Sequence, residues 1–369
     1  MRRALAAALV LIAAVVAVAI ARWSPPAPLA EDAPPDRFSA ARALEAHRRF
    51  AAGEPRPLGS DANARARAAI ARELEAAGFT VEVQEARACG RHGSCGIVRN
   101  LVARREGTAP KASGIILVAH HDSVPASPGA SDDGMGVAAL LEAARALGAS
   151  PRLKRPVVIL VTDGEEAGLL GAEAFAREHP LAPALKASVN HDPRGSARPS
   201  VQFETSEDSG WLVNLAASRL DRPITSSLFA EVYRRMPNDT DFSVTKAVAP
   251  GVNFANLARV AHYHTPLDTT ANLDAGTLQH HGDQALAMAR AYAEVVIDEP
   301  PTGAATWFDV LGLWVVRWPA SWSMPIAVVA LVFVVVQALR MSAWGWGLLA
   351  APATLGAAAA SAFAVGAGM

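Results

Sequence analysis

With only two cysteines in 369 residues, Cys89 and Cys95, the chain cannot be a disulfide scaffold or a cysteine-rich zinc module. An excess of one charge is also missing. Lys and Arg number 34 against 35 Asp and Glu, a net charge of -1, so nothing marks a cationic nucleic-acid binder and no nucleic-acid partner is expected. Apolar residues make up 51% of the chain, too many for a disordered protein. No Gly-x-Gly-x-x-Gly follows a strand and no Walker loop occurs, which removes support for nucleotide chemistry. The nearest run to a Gly-x-Ser-x-Gly elbow, Gly129-Ala130-Ser131-Asp132-Asp133-Gly134, has one residue too many for a serine hydrolase. No internal repeat is seen.

What is present is unevenly spread. Ala4 to Ala21 carries no charge and follows Met1-Arg2-Arg3. As a helix it would reach roughly 27 Å, close to the hydrocarbon thickness of a bilayer. It is read as a signal anchor at 1–22, with a cleaved signal peptide as the alternative, and everything after Arg22 as exported to the periplasmic or lumenal side. Met324 to Leu339 and Ser342 to Met369 are two further uncharged runs. They are expected to span the lipid bilayer, with Trp318, Trp322, Trp344 and Trp346 near the boundaries and Arg340 at the cytoplasmic turn. Trp307 to Trp318, which carries Asp309 and Arg317, is read as an interfacial segment.

The expected domains are therefore the anchor, a Pro/Ala-rich linker at 23–37, a folded domain at 38–300, and a membrane region at 301–369 with about two transmembrane helices. Helical periodicity appears in Ser39 to Ala52, Ala62 to Ala77 and Gly136 to Leu147. Strands are expected at Phe79 to Gln84, Val98 to Arg104, Gly114 to Ala119, Val157 to Thr162, Ala187 to Asn190, Ser200 to Glu204 and Gly251 to Ala255. Apolar strands alternating with helices predict an α/β fold with a mostly parallel mixed sheet covered by helices on both faces. Such sheets bind ligands beyond the carboxyl ends of their strands.

Those ends carry the chemistry. His120-His121-Asp122 follows one strand, Asp163-Gly164-Glu165-Glu166 a second, and His191-Asp192 a third, while Asp132 and Asp133 precede a helix. So many anions in one crevice repel each other unless cations sit among them, and bound metal resolves this. Mixed imidazole and carboxylate donors suit Zn²⁺ better than Mg²⁺ or Ca²⁺.

The ordered run His120-His121-Asp122-Ser123, Pro128-Gly129-Ala130-Ser131-Asp132-Asp133-Gly134, Glu165-Glu166, Asp192 and His262-Tyr263-His264-Thr265-Pro266-Leu267-Asp268-Thr269 resembles the M28 family of zinc aminopeptidases, in particular its membrane-embedded vacuolar and endoplasmic-reticulum branch. The resemblance covers roughly 38–296. It implies two zinc ions per chain and a peptide substrate: His120 and Asp192 on one ion, Glu166 and His264 on the other, and Asp132 bridging both. It also implies Glu165 as general base and Asp122 as the carboxylate that orients His120. The reaction implied is attack of an activated water on the peptide carbonyl, with Glu165 taking the proton and passing it to the leaving amine. One departure stands out, because close membrane-bound relatives usually carry Glu where this chain has Asp192, followed here by Pro193.

Other polar residues have plainer readings. His121 is taken to point away from the site, and His47, His179, His280 and His281, without acidic partners in sequence, are taken as surface residues. Asp133 is read as a helix N-terminal charge. His262 and Asp268 stay open between site and loop roles, as does Asp241, which could bind a free amino terminus or merely edge the pocket. Cys89 and Cys95 bracket a Gly-rich loop and are expected to form a small disulfide in an exported domain; a Cys89/His92 nucleophile pair has no acidic orienter. Two other function classes remain: a non-catalytic receptor or adaptor on the same fold, expected to have lost ligands or the base, and a glutaminyl-cyclase-like acyltransferase, expected to hold one zinc. Oligomeric state is not encoded in these motifs.

Overall fold

A computed structural model describes residues 2–51, 53–90, 93–109, 113–207, 210–295 and 302–340. A seven-stranded sheet organises the chain. Its strands are β1 (Thr80–Cys89), β2 (Cys95–Arg105), β3 (Gly114–His120), β4 (Val157–Thr162), β5 (Leu185–His191), β6 (Val201–Thr205) and β7 (Gly251–Ala255), in the spatial order β1-β2-β4-β3-β5-β7-β6. Every residue of β3 and β4 is buried. Alternation sends Ile115, Leu117 and Ala119 into one core and Ile116 and Val118 into another, as two covered faces require.

Helices α2 (Ala40–Phe50), α3 (Asp61–Ala76), α4 (Gly134–Gly148) and α9 (Ala275–Glu294), with α6 (Gly210–Arg219), supply the first face, while α5 (Leu170–Glu178) supplies Phe175 to the second. Two further short helices, α7 (Ser227–Tyr233) and α8 (Phe242–Val248), precede β7. Helix ends follow local chemistry. The Ser39 and Ser60 side chains cap α2 and α3, and Gly78, at φ 83°, closes α3 while Phe79 N–H donates to Leu74.

The expected mixed sheet is present, but it is corrected from mostly parallel to evenly divided between parallel and antiparallel pairings. β3/β4, β3/β5 and β5/β7 pair in parallel, whereas β1/β2, β2/β4 and β6/β7 are antiparallel. The short Cys89–Cys95 connection, closed by a disulfide, permits only a hairpin between β1 and β2. Because β4 lies on one side of β3 and β5 on the other, the order reverses at β3, and its carboxyl end at His120 opens on a crevice.

Residues 23–37 lie against the domain instead of extending freely: Leu29 N–H donates to Gln279 and its carbonyl accepts from Ser39. After the domain comes a separate hairpin, β8 (Ala305–Val310) and β9 (Trp314–Pro319). Helices also form at α1 (Arg2–Trp23) and α10 (Ser323–Arg340), yet among the described residues no helix is long and apolar enough to cross a membrane. The expected spans at 4–21 and 324–339 are corrected on that point. The expected span at 342–369 lies outside the described residues.

Candidate metal centre

Past His120 the chain must turn sharply to reach α4, and several buried groups hold that turn. Gly129 has φ +65°, and a Cβ there would lie 2.6 Å from both the Asp132 carbonyl oxygen and the Ser123 Cβ, so a side chain cannot be placed. The buried Arg56 guanidinium donates to the carbonyls of His121 (3.1 Å), Pro128 (2.5 Å) and Gly129 (2.9 Å). Asp268 accepts the N–H groups of Ser131 (2.7 Å) and Asp132 (3.1 Å), resolving its open reading toward a support for the Asp132 loop. Asp133 caps α4 through Gly136 N–H and accepts the His120 N–H, both at 2.9 Å.

Asp122 ties two strand ends together. Its Oδ1 lies 3.4 Å from His120 Nδ1, and its two oxygens accept the N–H groups of Glu165 (3.1 Å) and Glu166 (3.2 Å). One carboxylate thus sets both the imidazole and the adjoining glutamates.

The side chains converge into two groups. Ligating atoms of His120, Asp132 and Asp192 all lie within 4.8 Å of one another, and so do those of Asp132, Glu166 and His264; Asp132 belongs to both. His264 Nε2 lies 3.0 Å from Asp132 Oδ2 and 3.1 Å from Glu166 Oε2. Despite those distances, His264 Nε2 and Asp132 Oδ2 make no hydrogen bond and are buried, as is Glu166 Oε1. Buried polar atoms without hydrogen-bond partners, within two clusters of imidazole and carboxylate donors, are what a bound cation would satisfy, so these residues fit a metal pair. His264 itself sits at φ 57°, a left-handed conformation uncommon outside glycine.

Electrostatics agree with that fit. Burial pushes the Glu165 carboxyl well up, aided by the charges of Asp192, Asp241 and Glu166 and opposed by His120. Burial, and then the Asp132 charge, raises Glu166 to about 7. Asp192 is raised chiefly by burial, against the pull of Arg194. Burial disfavours the charged imidazoles of His120 and His264, but the carboxylates of Asp122 and Asp132 beside His120, and of Asp132 and Glu166 beside His264, outweigh it and lift both, His264 to about 9. Asp132 shows the opposite balance, held below the usual range by its contacts with His120 and His264 despite burial. The crevice is short of positive charge, which a divalent ion would supply.

Several readings of single residues change. His121 faces Asn63 at 3.3 Å and stays out of both groups. His262 contacts Ser196 at 2.8 Å and is also outside them. His47, His179, His280 and His281 are buried, not on the surface: the helix faces that carry His47, His280 and His281 pack inward, and His179, just past α5, stacks on Phe175; His47 reaches the Ala130 carbonyl (2.9 Å) and His281 meets His191 (3.0 Å) and Asn256 (2.9 Å). Asp241 is buried and bonded to Thr162 at the end of β4. Two residues escaped sequence reasoning. One is Arg56. The other is Arg194, whose Nε lies 3.7 Å from Asp192 and which donates to the Tyr263 hydroxyl (2.5 Å) and the Asp239 carbonyl (2.8 Å). An arginine two residues from a candidate ligand was the available signal.

Comparison with known proteins bears on the same residues. Over 232 residues the chain is 32% identical to endoplasmic reticulum metallopeptidase 1 of Mus musculus, a match covering 60% of this chain and 26% of that protein. It is 31% identical over 260 residues to a vacuolar membrane protease of Eremothecium gossypii, covering 66% and 25%. The chain thus spans about a quarter of the length of these curated relatives. Its fold is similar to that of a Zn-dependent exopeptidase from Parabacteroides distasonis, at TM-score 0.56 and 22% identity, covering 68% of this chain and 97% of the other. Porphyromonas gingivalis glutaminyl cyclase is similar to the same degree, at TM-score 0.56 and 22% identity, covering 69% and 99%. The model of peptidase family M28 matches residues 100–289, from β2 to α9 and through every element that carries the site, and the chain belongs to that family.

Proposed function

We propose that the chain is a two-zinc aminopeptidase that hydrolyses the N-terminal peptide bond of a peptide substrate, with residues 38–300 as its catalytic domain. The observation that carries the reading is the membership of Asp132 in two three-residue groups at once. His120 and Asp192 would hold one zinc, Glu166 and His264 the other, with Asp132 between them. Bound there, zinc would supply Lewis acidity toward water and the scissile carbonyl. Glu165, beside Glu166 and with its carboxyl pushed up, takes a proton from the attacking water and returns it to the leaving amine. Asp122 orients His120 and fixes the backbone from which Glu165 projects.

A glutaminyl-cyclase-like acyl transfer is the competing reading, favoured by the fold shared with such an enzyme. The receptor reading is disfavoured because all five ligand positions and Glu165 hold competent residue types. We also propose that the chain is attached to a membrane through α1 and α10, with its catalytic domain outside the cytoplasm. Supporting this are the names of the relatives and the exposed apolar side chains of both helices, among them Leu9, Val10, Ile20, Met324, Val329 and Leu331. The experiment is hydrolysis of free and N-acetylated aminoacyl-amides and cyclisation of N-terminal glutamine by the purified chain. Cleavage confined to free amino termini supports the aminopeptidase, and pyroglutamate formation alone would replace it with the cyclase.

A further inference from the structure

The hairpin β8–β9 presents two unlike faces. Opposed residues in its register share a side, so Ala305, Trp307 and Asp309 fall with Val315, Arg317 and Pro319, while Thr306, Phe308 and Val310 fall with Trp314, Val316 and Trp318. The first side is fastened to the domain. Trp307 and Val315 are buried against Val213 of α6, Trp307 Nε1 donates to Thr225 Oγ1 (2.8 Å), and Asp309 accepts the Thr225 N–H (3.1 Å). The second side carries five apolar residues of six and no charge. Phe308, Trp314 and Val316 on it are 41%, 55% and 37% exposed. An exposed apolar sheet face of this kind marks a contact surface.

Continuity with the neighbouring helices indicates what covers it. At the turn of the hairpin, the Arg22 guanidinium at the end of α1 donates to the Gly312 carbonyl. At the open end, Ser323 begins α10 and bonds both Thr306 Oγ1 (2.8 Å) and Trp318 Nε1 (2.9 Å). The hairpin therefore lies between the two helices with exposed apolar surfaces, and its strands span only roughly 20 Å. Beyond β9, Trp322 and Met324 continue the exposed apolar surface at 62% and 72%. An apolar phase that receives α1 and α10 reaches the face between them. Indole rings with an apolar body and a polar edge suit the boundary between headgroups and acyl chains.

We propose that the outer face of β8–β9 seats the catalytic domain on the bilayer surface, with Phe308, Trp314 and Val316 immersed at the headgroup boundary. The proposal rests on the membrane attachment stated above. Its face is uncharged, so zwitterionic lipid suffices.

The test uses the full chain reconstituted in phosphatidylcholine vesicles. Cys89 and Cys95 are joined in a disulfide, so Val316→Cys provides a single thiol for an environment-sensitive fluorophore. Phe308→Cys, directly across the ladder, is the second position, and Val83→Cys on the edge strand β1, exposed on the opposite margin of the sheet, is the control. Nitroxide lipids labelled near the headgroup are expected to quench positions 308 and 316 several-fold more than 83, and aqueous iodide to quench 83 several-fold more than the other two. If the chain floats with the vesicles but 308 and 316 respond to iodide like 83, the seat is refuted while attachment stands. A label shielded from both quenchers shows protein cover, from residues 341–369 or a second copy, and equally refutes it. A chain that does not float overturns the attachment reading and this proposal together.

Discussion

Replacing Glu165 by Gln removes one proton-accepting oxygen and almost no volume. The Glu165 N–H would still donate to Asp122 and the Glu166 N–H to the other oxygen of the same carboxylate, so the backbone of the loop is unchanged. Glu165 is in neither of the two metal-compatible groups, so metal content should also be unchanged. What disappears is the shuttle between water and leaving amine, which typically contributes about 10²- to 10⁴-fold, equivalent to about 2.7 to 5.4 kcal/mol of barrier. The assay is steady-state hydrolysis of an aminoacyl-amide beside metal analysis of the same preparation. A drop in kcat with unchanged metal content and near-unchanged KM is expected. A variant retaining more than a tenth of wild-type kcat would refute Glu165 as the base, and one that lost its metal would place Glu165 among the ligands.

Further consequences follow from the supports around the site. Asp268→Asn turns an acceptor toward a donor where the Ser131 and Asp132 N–H groups point, and should weaken zinc about 10- to 100-fold in a chelator competition without touching a ligand. Arg194→Ala removes donors to Tyr263 and the Asp239 carbonyl and should cost about 1–3 kcal/mol in chemical denaturation; an unchanged midpoint would mean the loop holds itself. His47 tests pH linkage. Burial lowers it from 6.5 to about 4, against the pull of its bond to the Ala130 carbonyl. The unfolded chain therefore takes up the proton first, and the contribution of His47 is complete above pH 6.5 and lost as pH falls toward 4. In metal-free protein, the stability advantage of wild type over His47→Gln should shrink by up to about 1.4 kcal/mol per pH unit across that window, and a constant difference would contradict the assignment.

The strands were legible because their chemistry is one-dimensional. A run such as Gly114 to His120 is apolar on both faces only if both are covered, and the residues at its end must then face the crevice. Strand direction at the margins was less legible, although the six-residue separation of Cys89 and Cys95 carried the hairpin signal for β1 and β2. Histidine burial was not readable at all. His280 and His281 are adjacent on α9, and most of the residues in this helix are buried, so no polar face distinguishes the inward positions. The support at Arg56 was equally hidden, and that at Asp268 stayed open between a site and a loop role. Each meets the loop after β3 across 65 or more residues, a distance over which a single sequence carries no pairing signal.

The central claim is that Asp132 lies between two divalent ions. Metal analysis of the purified chain after zinc loading and exhaustive dialysis, repeated with His264→Ala and Asp132→Asn, tests it most directly. Two zinc ions per wild-type chain, about one in the histidine variant and fewer than one in the Asp132 variant are expected; a single zinc in wild type that survives loss of His264 would contradict the account.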